Sequence, residues 1–373
     1  MTVSRKQLNI TSSNVAFGSQ MSYLLPKSDI NVDKMYVEFT LSAIGGTLTP
    51  SITAFDMSAI SRVVLLYNEQ QVEQTLSEEI YMNSRLFRDQ SELLGHLEMT
   101  DDVSLIDRRL KTLAGDKMYL DLSWFVSRHI KHALASYPSK WKLEITINSL
   151  DRIVDGADAT VATGTINSAK MYLEGNQYSL DQIKAQRAVL RKGFTYDFLD
   201  AVQVTRNLPS AQAFSESLTE VTGDVSTVLM MARDSSVLTT NPLTLDPIAF
   251  YLFGQSFDDT YELGSSSVST LYSGAAKSFA LSVNTSAKHF MGGPSFIDRA
   301  GALRNMGVSV LASTSPMFQA DYLSGTRRGS MKFSSEELLT IQTEAITGTT
   351  IRLDIFIYRW RKATISGASI SFS

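Results

Sequence analysis

A series of strand-like segments that occurs twice in the same order constrains this chain more than any single motif. Residues 34–42 (KMYVEFTLS) alternate around Met35, Val37, Phe39 and Leu41, the period-two pattern of a strand with one face on a core. A polar stretch follows, then the denser β-branched run 60–67 (ISRVVLLY), stopped by a turn at Asn68 and Glu69. In the second half, residues 194–204 (FTYDFLDAVQV) precede another polar stretch, the run 225–232 (VSTVLMMA), and then Arg233 and Asp234. The halves also close alike. Residues 142–148 (KLEITIN), Gly164 with Thr165, and 170–174 parallel 337–343 (ELLTIQT), Gly348 with Thr349, and 352–360. The repeat predicts two similar β-sandwich units of about eight strands each, with the polar segment 180–191 as connector.

Helix enters this pattern only as insertion. Residues 69–97 are rich in Glu, Gln, Leu and Arg, place Val72, Leu76 and Ile80 near helical spacing, and meet no Gly or Pro until Gly95. They read as a broken helix, and residues 127–135 and 296–306 as two further helical stretches. Because helices do not alternate with strands, a doubly wound α/β sheet is disfavoured. The fold class is therefore all-β, with helical insertions in the loops.

Composition removes several functions. There is no cysteine, so disulfides, thiolate metal sites and cysteine nucleophiles are absent. With 34 Lys and Arg against 38 Asp and Glu, a net charge of −4 argues against binding nucleic acid through bulk positive charge. The first ten residues carry a basic pair but no following apolar run of signal-peptide length. No segment approaches the roughly 18 apolar residues of a spanning helix.

The residue types suited to chemistry have simpler readings. His129 and His132 share a helix face at i, i+3 spacing, but Arg128 and Lys131 repel a cation there, so a solvated basic face is preferred to a metal site. His96 and His289 have no G-x-S-x-G serine to activate, and Ser265 to Ser267 read as loop. The acidic pairs at 78–79, 101–102, 258–259 and 336–337 suit a glycosidase couple or calcium in principle, and solvated charge by default. No phosphate-binding glycine loop is present. The glycine-flanked basic turn at 325–329 and the cluster Arg359, Trp360, Arg361 and Lys362 remain. Strand-end snorkelling explains the latter most simply, and contact with an inner face or partner through Arg359, Arg361 and Lys362 is the functional reading. No cofactor is indicated, and no enzymatic motif rises above its structural explanation.

The duplicated architecture resembles the double jelly-roll major capsid proteins of tailless icosahedral viruses with an internal membrane, the tectivirus-like bacteriophages. The likeness runs through DMSAISRVVLLYNE at 56–69, the Tyr137-Pro138-Ser139-Lys140 lead into an alternating strand, the 296–307 excursion, and GSMKF at 329–333. The resemblance implies an N-terminal arm at 1–30, a first jelly roll at 31–180, a connector at 181–193, and a second roll with C-terminal tail at 194–373. It further implies a virion protein made in the host cytoplasm, forming homotrimers that imitate hexagons. Its partners would be neighbouring capsomers, penton or minor capsid proteins and an internal lipid membrane. The short polar segment before Asn31 lacks the long amphipathic helix some members place against the membrane.

Tandem sandwiches also serve carbohydrate-binding proteins and virion spikes, which stand as the alternatives. Sugar sites need exposed aromatics, and Trp124, Trp141 and Trp360 all fall in predicted strands, where core packing accounts for them.

Overall fold

Alternating burial along each strand assembles the first half into two facing sheets. The computed structural model describes residues 5–12, 15–45, 51–52, 59–80, 115, 117–155, 163–208, 214–220, 222–234, 278–283, 286–288, 308–313, 331–333, 337–343 and 351–373. One sheet joins β1 (Arg5–Thr11), β3 (Ile30–Leu41), β7 (Lys117–Asp121) and β10 (Ile166–Gln177) in the order β1-β10-β3-β7. The other joins β2 (Gln20–Leu24), β5 (Ile60–Tyr67), β6 (Gln70–Leu76) and β8 (Trp141–Ile147) in the order β2-β8-β5-β6. Every pairing in both sheets is antiparallel. Met35, Val37, Phe39, Met171 and Leu173 of the first sheet, and Met21, Leu143, Ile145, Val63 and Leu65 of the second, are fully buried. These inner faces form the sandwich core. The short pair β4 (Ser51–Ile52) and β9 (Val154–Asp155) lies apart from both sheets.

The second half repeats the plan. One sheet runs β11-β19-β13-β16, from β11 (Phe194–Leu208), β13 (Gly223–Asp234), β16 (Val308–Ser313) and β19 (Ile351–Ser366). The other runs β12-β18-β14-β15, from β12 (Phe214–Leu218), β14 (Ser278–Val283), β15 (Ser286–Lys288) and β18 (Glu337–Thr343). Two additions, β17 (Met331–Phe333) on β13 and β20 (Ser369–Phe372) on β19, complete the strands. Numbering the eight sheet strands of each half by chain order gives 1-8-3-6 for one sheet and 2-7-4-5 for its mate, in both halves. That shared order is the jelly roll, and the molecule has two of them.

This topology corrects the alignment of the repeat. Strands β8 and β10 do correspond to β18 and β19. At the front, however, β11 answers β1 and not β3, and β13 answers β3 and not β5. The offset arises because β1 and β2 lie within residues 1–30, where polar side chains on one face obscure the strand pattern. β1 pairs along β10, and β2 along β8. By contacts the chain divides into a unit of residues 1–198, 322–325 and 362–373, and a unit of residues 199–321 and 326–361.

Two helical expectations change. Residues 70–76 form strand β6, because Asn68 (φ 52°) and Glu69 (φ 63°) make a tight turn that returns the chain along β5. Pairing on that edge outweighs the helix preference of the Glu and Gln side chains. Residues 77–80 are helical, and 81–97 lie outside the described residues. The helix expected at 127–135 is instead α1 (Ser123–Ser127), followed by a 3-10 turn at Leu134–Ser136. Asp121 Oδ1 accepts from the Ser123 amide (2.9 Å) and hydroxyl (2.6 Å), turning the chain out of β7. The Tyr137 hydroxyl then accepts the amides of Lys131 (2.9 Å) and His132 (3.1 Å), which a continuing helix would need. Trp124 accordingly sits in α1 rather than in a strand. A short α2 (Leu150–Ile153) follows β8. The segment read as connector is helix α3 (Leu180–Lys192), started by a Ser179–Gln182 capping box and ended at Gly193 (φ 105°). The excursion at 296–306 lies outside the described residues.

Candidate functional site

The most concentrated chemistry in the molecule is a buried charge cluster where β6, α1 and β11 meet. The i, i+2 alternation of β6 turns Glu73 and Thr75 inward, and the turn at 77–80 brings Glu79 beside them. Arg128 and Glu73 form an ion pair, and Arg128 Nη2 reaches Glu79 Oε1 at 3.4 Å. His129 Nε2 donates to Glu73 Oε2 at 2.5 Å. Its Nδ1 lies 2.8 Å from the Tyr196 hydroxyl, which donates to a neutral ring and accepts from a charged one. Thr75 Oγ1 donates to Glu79 Oε2 at 2.8 Å, and the Arg128 guanidinium stands 4.8 Å over the Trp124 ring.

Both Arg128 and His129 are 0% exposed, and Glu73 and Glu79 are buried with them. The solvated basic face and the solvated acidic pair expected at 128–132 and 78–79 are therefore corrected: opposite charges compensate each other inside the protein. Sequence spacing missed this because Glu73 and Arg128 are brought together by sheet topology. The two carboxylates respond in opposite directions. Burial raises the Glu73 carboxyl, but the charges of Arg128 and His129 outweigh it and hold the group below its ordinary value. Burial dominates at Glu79, with Glu73 adding repulsion, and that carboxyl is pushed up. Closed to a substrate on every side of Arg128 and His129, the cluster holds β6, α1 and the start of β11 in place rather than performing turnover. His132 lies apart, against the rings of Tyr137 and Phe194, and burial lowers its pKa. Among the described residues no three His, Cys, Asp or Glu side chains converge as a metal site.

The basic end of β19 is arranged differently. Arg359 Nη2 (3.4 Å) and Arg361 Nη1 (3.3 Å) converge on Asp200 Oδ2, while Lys362 is exposed. Trp360 between them is buried, as is Trp141, so neither presents a stacking face. His96, His289, the serine run 265–267, the pairs 101–102 and 258–259, Glu336 and the turn at 325–329 lie outside the described residues. No helix among the described residues is long and apolar enough to cross a membrane.

Connections alternate between the two ends of the first roll. Segments 42–59, 77–116 and 148–165 leave from one end, and 25–29, 68–69 and 122–140, with α3, from the other. In the second roll the corresponding segments of the first kind are 235–277, 289–307 and 344–350.

Residues 3–172 match the family described as major capsid protein N-terminus. No curated protein matches the chain by sequence. Among solved structures, VP54 of PBCV-1, fitted into the virophage Sputnik, aligns over 100% of this chain and 97% of its own, at TM-score 0.66 and 12% identity. The Faustovirus major capsid protein aligns over 98% and 91%, at TM-score 0.62 and 10% identity. A chain of the Sputnik virophage particle aligns over 99% and 88%, at TM-score 0.52 and 12% identity. At such identities these likenesses are of fold.

Proposed function

We propose that this double jelly-roll chain is a major capsid protein of a virion shell, three copies of which form a pseudo-hexameric capsomer that tiles an icosahedral lattice around an internal membrane. The observation that carries the reading is the shared strand order of the two halves. Two like rolls per chain, repeated by a threefold axis, present six similar units around one centre, which matches hexagonal packing. Each interface in such an obligate trimer buries on the order of 2,000 Å² or more. In this reading residues 5–177 build the first roll, α3 is the connector, and the second roll begins at Phe194. The end of the first roll that carries α3 faces inward, and the opposite end faces outward. The role is structural rather than enzymatic.

The basic end of β19 belongs to the same proposal. Arg359 and Arg361 converge on Asp200 and Lys362 adds an exposed positive charge, an arrangement suited to an acidic inner partner or neighbouring capsomer. Replacing both arginines by alanine tests this through assembly and recruitment to membrane. Unchanged behaviour in both removes the contact. For the protein as a whole, size-exclusion chromatography with light scattering is the test. A mass three times that of one chain supports the reading, and a monomer that binds glycans contradicts it.

A further inference from the structure

We propose that α3 and the segment it rests on, residues 133–140, form a docking face for an anionic phospholipid bilayer. The inference rests on the reading that the end of the first roll carrying α3 faces the virion interior, and it assigns that end its partner and residues.

The platform is rigid and cationic. Gln186 Oε1 accepts from the Ala133 amide (3.1 Å) and the Ser136 hydroxyl (2.7 Å), fixing α3 on the 3-10 turn. Arg187 Nη2 donates to the Ala135 carbonyl (2.7 Å). Lys27 Nζ donates to the carbonyls of Tyr137 and Ser139 (the latter 2.5 Å), with Lys140 next in the chain. Lys27 and Arg187 are thus held by neutral carbonyls and not by carboxylates. Their mutual repulsion shows in Lys27, whose ammonium is lowered by burial and then by Arg187 and Lys140. Along α3, Lys184, Arg187 and Arg191 fall on one stripe at i, i+3 and i+7, headed by Leu180. The one carboxylate on the helix is Asp181, 3.4 Å from Lys184.

Apolar exposure selects the partner. The large hydrophobic side chains left exposed among the described residues are Leu24 (48%), Leu180 (67%) and Val189 (46%). Leu180 heads the cationic stripe of α3 and Leu24 is three residues before Lys27, whereas Val189 lies on the opposite side of the helix. A cationic stripe headed by an exposed leucine suits the interface of an anionic bilayer, where the charges meet headgroup phosphates and the leucine enters the acyl boundary. A nucleic-acid face would instead offer aromatic rings for stacking.

Flotation of the purified full chain with vesicles tests this. The protein should float with phosphatidylcholine vesicles containing phosphatidylglycerol, not with phosphatidylcholine alone, and binding should weaken at high salt. Reversing Lys184→Glu and Arg191→Glu together, both exposed and outside the contacts that seat the helix, should lower partitioning about tenfold or more. Melting temperature and particle mass should not change. Failure of the native protein to float, unaltered flotation of the variant, or a preference for single-stranded DNA that the same variant abolishes would overturn the assignment. Light scattering on the same samples separates the two levels. A trimer that does not float removes this inference and leaves the shell reading, whereas a monomer that floats upholds the docking face and removes the shell reading.

Discussion

The Tyr67 hydroxyl donates a 2.7 Å hydrogen bond to the Gly367 carbonyl, joining positions 300 residues apart. Gln70 Nε2 donates to the Ile370 carbonyl (2.9 Å) and the Gly367 amide to the Leu190 carbonyl (3.2 Å), while Phe372 packs edge-on against Phe198. Ala363 and Ile365 are fully buried and Ile370 nearly so. The C-terminal hairpin made by the end of β19 and β20 is therefore part of the first unit. Ile365→Ala should cost about 2–5 kcal/mol through the cavity it leaves. Deleting residues 362–373 should expose the first roll to proteolysis, whereas a protease-resistant first roll in the truncated chain would contradict the arrangement.

Opposite shifts at Glu73 and Glu79 give opposite mutational outcomes. Glu73→Gln leaves Arg128 facing a neutral amide in a buried site and should cost about 3–5 kcal/mol. Glu79→Gln replaces a carboxyl whose charged form burial already penalises, and should be milder. The pH dependence follows the same signs. Glu73 is depressed, so its contribution is present above the ordinary carboxyl value of 4.5 and is lost as pH falls below it through the folded value. Glu79 is raised, so its effect runs the other way, weakening the fold as pH rises from 4.5. Urea titrations across pH on the two variants check both. Equal effects would contradict the charge assignment.

Among the described glycines, Gly175 leaves the least room for a side chain. A Cβ there would lie 1.9 Å from the Asn31 carbonyl oxygen, at the register shift between Glu174 and Gly175 in the β10–β3 pairing. The obstacle is main chain and cannot rotate away. Gly175→Ala should therefore prevent β3 and β10 from closing, seen as insoluble or protease-sensitive protein, while Gly193→Ala meets no neighbouring atom within 4 Å and bears only the strain of a positive φ.

Lys131 carries the complementary prediction. Burial, then the charge of Arg128, push its ammonium down to about 8 from 10.5. The folded state binds fewer protons than the unfolded chain between these values, so stability rises with pH across that window. Lys131→Met should raise the melting temperature at neutral pH, and the gain should vanish above pH 10.5.

Strands with one clean buried face were legible in the sequence, as β3 and β8 illustrate, and so was the turn at Asn68 and Glu69. The rear half of the repeat aligned correctly for the same reason. β6 was hidden because its inward positions include Glu73 and Thr75, polar groups whose partners arrive from distant segments. β1 and β2 were hidden by outward Gln, Asn and Ser residues, which shifted the front half of the repeat. The buried cluster was unreadable because its compensation depends on topology: His129 and Glu73 look solvated when read in isolation.

Negative-stain images of the purified protein test the central claim most directly. The account predicts particles with threefold symmetry and a six-cornered outline. Particles of twofold symmetry, or single two-lobed molecules that never associate, would contradict it.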